Sequence, residues 1–350
     1  MLGIDWRAAR ISWTVFLFAL LILIIYSVRE TLLLFTAAFL LAYMLSPLLD
    51  FIARLTPPHV SRTASLAVVY VLLITVVTAL ISWLGGQVAE QAVSLARRLP
   101  ELVEKHKDLS TIPLPAWLEP ARARVAEVIR TQLEGSSERI LPFLQHAIGK
   151  MLGYAGNVIF LVIVPILAFF FLKDGRELRL NLLSLAKPAN RPVMEGMLDS
   201  IHSMLIQYIR ALLILSAATS VSYLLFFSVI DLPYALLVSA LAAPLEFIPI
   251  FGPLTASAII LLIAAFTGFP HIWWILVFLI AYRLFQDYVL QPYLLSSGIE
   301  LHPLLVLFGA LAGERLGGVW GMFLSVPILA VLRIIFAQLK RSTRVETLSS

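Results

Sequence analysis

PLEFIPIFGP, Pro244–Pro253, interrupts an apolar run that extends from Pro233 to Phe266. Pro244, Pro249 and Pro253, with Gly252 among them, cannot continue a regular helix. Each proline lacks a backbone donor and crowds the carbonyl four residues earlier, and Gly252 permits a sharp turn. Within hydrocarbon such a break is tolerated only where protein or water satisfies the freed groups. The break also carries a carboxylate, Glu246, about midway along the run, where a charge is costly and marks function by default. A discontinuous membrane helix with an ionisable group at mid-depth is the arrangement in which transporters build their sites. The alternative is a proline kink that serves packing, with Glu246 satisfied locally.

Composition agrees with a membrane setting. The 350-residue chain is 60% hydrophobic and 13% charged, against about 25% charged in soluble domains. Several apolar runs exceed the ~20 residues that cross a bilayer. The expected fold is all-α: a polytopic integral membrane protein with about eight transmembrane helices, a broken or re-entrant element and an extramembrane helical subdomain. The net charge of +5 is no sign of nucleic acid, because the basic residues lie largely at span ends and in links, where membrane topology places them. Cysteine is absent, which excludes a disulfide framework, a thiolate nucleophile and a cysteine metal site. Arg7 and Arg10 precede the first apolar run without an obvious cleavage site, so the first helix is expected to be retained.

Four regions follow from these runs. Residues 1–84 hold three spans, near Ile11–Val28, Leu32–Ile52 and Thr63–Leu84. Residues 85–150 carry nine basic and eight acidic residues, with Val88, Ala92, Leu95, Leu99 and Leu102 on one helical face. They are read as an extramembrane amphipathic cap, with partner binding as the alternative. Residues 151–340 form the core: spans near Leu152–Leu172 and Met204–Ile230, the broken sixth element, a seventh span near Ile272–Leu295, and a final stretch from Leu301. That stretch is expected to begin as a re-entrant or tilted segment and to become the eighth span from about Gly317. Residues 341–350 are a tail. Counting lysine and arginine over short loops places both termini, the Arg54–Arg62 link and the Lys173–Arg191 link on the cytoplasmic side, and residues 85–150 outside.

Few polar groups lie within the spans. Arg283 and Asp287 share a helix face, with Gln291 one turn further. Either Arg283 neutralises Glu246 while Asp287 competes, or Arg283 and Asp287 pair with each other. His302 opens the last stretch, as an interfacial residue or a pH-sensitive group. Gly309, Gly313, Gly317 and Gly321 recur every fourth residue, a surface for close helix packing or a hinge. Motifs for zinc proteases, P-loops, dinucleotide turns and serine nucleophiles are missing. No enzyme activity, cofactor or metal site is expected.

FFFLKDG at Phe169–Gly175, QYIR at Gln207–Arg210, EFIPIFGP at Glu246–Pro253, QPYLLSSGIELHPL at Gln291–Leu304 and the GxxxGGxxG run from Gly313 occur together and in this order. In this the chain resembles the autoinducer-2 exporter family, also described as PerM-type permeases. One departure is Ala211, where the family pattern has glycine. The resemblance implies an eight-span bacterial inner-membrane protein that forms homo-oligomers, pentamers among them, and that serves autoinducer-2 export or sodium/proton exchange. The combined expectation is a secondary transporter surrounded by membrane lipid. It would move a small polar solute, or exchange a monovalent cation for protons, coupled through Glu246. The alternatives are a passive pore and a non-transporting scaffold.

Overall fold

The computed structural model describes residues 6–57, 61–105, 158–294 and 301–349, and their regular elements are all helical. Most of the 85–150 region and the 295–300 part of the QPYLLSSGIELHPL motif lie outside the described residues.

Helix α1 (Trp6–Ser27) and helix α2 (Arg29–Leu55) meet at Val28 in a tight joint. The apolar side chains of α1, from Ile11 to Tyr26, are largely uncovered by protein, as suits a helix whose solvent is lipid. Ser61 caps α3 (Arg62–Leu80), its hydroxyl accepting from the Ala64 amide at 3.2 Å. A π-helical turn, Ile81–Gly85, carries α3 straight into α4 (Gly86–Lys105), so the residue 84/85 boundary falls inside one rod. The described part of the apolar face expected on α4 packs against protein. Leu95 is buried, and Val88 and Ala92 pack against the same cluster. Gln91 Oε1 accepts the Leu237 amide at 3.0 Å, satisfying one of the donors left open at the start of the helix Ala235–Leu245.

Helices α5 (Val158–Ser184) and α6 (Arg191–Val229) are joined by a 3-10 turn at Pro188–Asn190. The 39 residues of α6 make a rod of about 58 Å, nearly twice the ~30 Å hydrocarbon layer. Its charged start projects beside the end of α5, tied by Arg179 to Asp199 at 2.6 Å and to Glu195 at 3.7 Å. At the other end of α5, the Tyr70 hydroxyl donates to the Pro165 carbonyl at 2.8 Å.

The broken element is two helices, α7 (Ala235–Leu245) and α8 (Phe251–Phe266), of 11 and 16 residues. Neither reaches the ~20 residues that a crossing requires. They pack against each other and against α4. Their Leu237, Val238, Ala242, Ala256, Ile260 and Ile263 share one buried cluster with Tyr223 and Phe227 of α6. The chain therefore turns back at residues 246–250, where one kinked crossing was expected. Helix α9 (Ile272–Phe285) then runs through a second π-helical turn, Gln286–Leu290, into the short α10 (Gln291–Leu294).

The last stretch, α11 (Pro303–Ser349), also folds back. Gly317 and Gly318 leave helical geometry (φ −148°, ψ 19° and φ 59°, ψ −140°). A Cβ placed on Gly313 would strike the Gly321 carbonyl, and one on Gly309 would lie 3.5 Å from Ser325 Cβ. Residues eight and sixteen apart along one straight helix could not meet in this way. The second arm packs with α2 and α6, where Leu324 and Ala330 join Leu40, Met204, Leu205 and Ile209.

Among the described residues, six segments are long and apolar enough to cross a membrane: Arg10–Ser27, Arg29–Leu55, Arg62–Arg98, Pro188–Val229, Ile272–Leu294 and Pro303–Gln338, the last being the folded one. The fold is an all-α polytopic membrane protein. Two of its apolar stretches are hairpins.

Candidate functional site

Three prolines shape the tip of the first hairpin. Helix α7 unwinds through tight turns: the Phe247 amide bonds the Pro244 carbonyl at 3.2 Å, and the Ile248 amide bonds Leu245 at 2.9 Å. Ser216 of α6 donates to the Ala243 carbonyl at 2.7 Å, so a side chain satisfies backbone at the break, as hydrocarbon demands. Ile250 has φ 64° and ψ −56°, with the Phe251 amide on the Pro249 carbonyl at 2.6 Å. This is the γ-turn of positive φ, which is rare and strained, and a β-branched residue occupies it. Gly252 is buried, and any Cβ there would collide with the Leu245 carbonyl. Pro253 falls in the first turn of α8, where an amide hydrogen would have no helical partner.

Glu246 follows the last residue of α7, at the start of this turn. Its Oε1 accepts from the Thr219 hydroxyl of α6 at 3.1 Å, and its Oε2 from the Gln286 amide at 2.8 Å. Thr219 Oγ1 also lies 3.0 Å from the Tyr282 hydroxyl of α9. With Glu246 ionised, the single Thr219 proton goes to the carboxylate and Tyr282 donates to Thr219. Thr219 and Gln286 are fully buried and Tyr282 nearly so. Thr219 lies about ten residues before the end of α6, or about 15 Å at 1.5 Å per residue, which is half the depth of the hydrocarbon layer.

Packing fixes these groups. Tyr223 stands edge-on to Phe227 and Tyr282, with centroids 5.4 and 5.3 Å away, while Phe226 stacks on Phe278 at 3.9 Å. These contacts lock α6 to α9 directly beside the carboxylate. The π-helical turn begins at Gln286 and aims its amide inward. Such turns often occur at functional sites.

Arg283 does not bond Glu246. Its Nε meets Asp287 Oδ2 at 2.9 Å, and the Gln291 amide holds Asp287 Oδ1 at 3.1 Å. The spacing of four along one helix makes this the shorter reach. Arg283 and Asp287 nevertheless remain within electrostatic range of that carboxylate. His302 stands apart from the cluster. Exposed at the start of α11, its Nδ1 accepts the Leu304 amide at 3.2 Å. Pro244 is exposed and Pro249 half-buried at the hairpin tip. Gly309, Gly313 and Gly321 line the crossing of the two α11 arms, and Gly317 lies at its fold against Leu33. The two hairpins touch where Phe247 meets Phe323, centroids 5.5 Å apart.

Thr219, Tyr282, Gln286 and Ser216 are not singled out by the sequence reading, which follows charged residues and takes Gln291 only for its place one turn from Asp287. Their signal was polar side chains inside apolar spans: Ser216 and Thr219 among the hydroxyls of α6, and Gln286 beside Asp287. Among the described residues no three histidine, aspartate or glutamate side chains converge as metal ligands do.

The fold is an all-α polytopic membrane protein in which a carboxylate lies between two half-helices, an arrangement in which transporters build their sites. Comparison with known proteins agrees: the sequence pattern of AI-2E family transporters matches residues 14–341. The chain belongs to the AI-2E transporter family. It is 27% identical over 320 residues to PerM of Escherichia coli (strain K12), a candidate permease by its name, covering 85% of this chain and 86% of PerM. Two Bacillus subtilis (strain 168) relatives are named as candidate transport proteins. YueF is 21% identical across 94% of this chain and 93% of its own, and YrrI is 24% identical across 86% and 84%.

Proposed function

We propose that this protein is a secondary transporter in which Glu246 takes up the coupling proton or monovalent cation at the tip of the α7–α8 hairpin. One observation carries the reading: at mid-depth both oxygens of Glu246 are held by the neutral donors Thr219 and Gln286. No cationic side chain among the described residues pairs with it. A carboxylate locked to an arginine would serve insertion alone, whereas one held by a hydroxyl and an amide can exchange its ligand. A proton arriving on Oε1 reverses the relay: Glu246 then donates to Thr219, and Thr219 donates to Tyr282. Discontinuous helices place such sites near the bilayer midplane.

The basic links and tail support a bacterial inner-membrane protein with both termini in the cytoplasm. The family supports a small polar solute, autoinducer-2 among them, or a cation exchanged for protons, and a homo-oligomeric assembly. The protein contributes binding and conformational change; no covalent chemistry is required of it.

The test is gradient-driven flux in proteoliposomes, with the purified protein screened against autoinducer-2, sodium and protons. Glu246→Gln, checked for unchanged thermal unfolding, is expected to lose at least tenfold of the coupled flux. Undiminished coupled flux would remove Glu246 from the mechanism. Rapid flux insensitive to the gradient would make the protein a passive pore.

A further inference from the structure

A cavity of about 390 Å³ opens between α2, α3, α5 and α6, at the foot of the charged α5–α6 projection. It lies away from the Glu246 cluster, and the FFFLKDG motif supplies part of its wall through Phe171, Leu172 and Gly175. Arg62 of α3 and Arg176 and Arg179 of α5 line it, and no carboxylate does. Arg179 is already engaged with Asp199 at 2.6 Å and Glu195 at 3.7 Å. Arg62 and Arg176 make no hydrogen bond or ion pair among the described residues. Tyr43 and His202 add polar atoms to the same wall, their hydroxyl and Nδ1 lying 3.1 Å apart. Apart from Ser46 the remaining side chains of the wall are apolar, with Phe39 edge-on to Phe171 at 5.5 Å.

We propose that this cavity seats the phosphate headgroup of an anionic phospholipid, with Arg62 and Arg176 gripping the phosphate. The start of the acyl chains would run along Phe39 and Phe171. Two arginines that line one concavity and pair with no described residue call for an anion, and arginine's planar fork matches phosphate with two parallel bonds. Basic pockets between membrane helices on the cytoplasmic side recognise anionic lipid headgroups. The apolar wall selects the lipid over a free phosphate, which would gain nothing from two phenyl rings. The volume suits a headgroup with its glycerol. Seated there, the lipid ties α2 and α3 to the α5–α6 projection.

The test uses the full-length protein, purified and delipidated in detergent. Thermal unfolding is followed with added phosphatidylglycerol, cardiolipin, phosphatidylcholine or glycerol 3-phosphate, and lipid retained after detergent exchange is counted by native mass spectrometry. Phosphatidylglycerol and cardiolipin are expected to raise the unfolding temperature of the unmodified protein, and phosphatidylcholine to leave it unchanged. The double variant Arg62→Gln, Arg176→Gln is expected to retain at least tenfold less anionic lipid. Arg62→Lys with Arg176→Lys, which keeps the charge and loses the fork, should fall between. Arg191→Gln, outside the cavity, should retain lipid normally, which guards against a general charge effect. Equal retention by the double variant and the unmodified protein would overturn the proposal. So would phosphatidylcholine binding equally well, or glycerol 3-phosphate protecting as strongly as the lipid.

Discussion

Thr219 is the residue on which the Glu246 site turns, because its hydroxyl is bonded to both the carboxylate and Tyr282. Thr219→Val keeps the shape and removes the donor. A hydrogen bond to a charged group is worth about 1.5–3 kcal/mol, and about 1.4 kcal/mol is a factor of ten. The variant is therefore expected to lower coupled flux roughly tenfold or more, whereas Tyr282→Phe leaves the Thr219–Glu246 bond in place and should cost less. Equal flux from Thr219→Val and the unmodified protein would show that Thr219 only fills space. Glu246 itself was legible in the sequence because a carboxylate in an apolar run is rare. Its partners were not: threonine, tyrosine and glutamine are common enough in spans that only the fold shows which ones converge. Arg283 shows the opposite difficulty. Two carboxylates were in range by sequence, and only the bond of its Nε to Asp287 at 2.9 Å decides between them.

Both hairpins are made by close backbone approach, which glycine allows and a side chain forbids. At Gly313 and Gly321 each built Cβ would strike the other residue's carbonyl, whereas Gly196 of α6 has no heavy atom within 4 Å of its Cβ position. The same glycine-to-alanine change should thus have opposite signs. Gly313→Ala is expected to destabilise by about 1–3 kcal/mol through overpacking, and Gly196→Ala to stabilise by about 0.5–1 kcal/mol through lost unfolded-state freedom in a helix interior. Thermal unfolding of both variants in one detergent checks this, and destabilisation of equal size would mean the arms do not touch at Gly313. The strained Ile250 turn belongs to the same scale: such backbone costs of the order of 1–3 kcal/mol, and it sits four residues from the carboxylate. That the chain breaks at residues 244–253 was readable from its prolines. That it turns back was not, because a kinked crossing and a re-entrant hairpin need the same residues. The four-residue glycine repeat was likewise ambiguous between a groove along one helix and a fold at its Gly317–Gly318 step.

Across the whole molecule the two hairpins compensate each other. Reading the α7–α8 element as one crossing places the Thr267–His271 turn on the cytoplasmic side and His302 outside. Folding α7 on α8 exchanges those assignments, and by itself would send the basic tail outside. The second fold, at Gly317–Gly318, returns α11 to the side on which it began and restores the tail. Basic links weigh on topology over short loops, and under either reading the tail is expected in the cytoplasm. Only the turn at residues 267–271 and the start of α11 distinguish them. The native chain has no cysteine, so single replacements report without background. With a membrane-impermeant thiol reagent added to intact cells, Gly268→Cys is expected to label and His302→Cys to stay unlabelled. In inverted vesicles the pattern should reverse, with Ser342→Cys in the tail following His302→Cys. Labelling of His302→Cys from the outside would return α7 and α8 to a single crossing and would separate Glu246 from the hairpin tip on which its role depends.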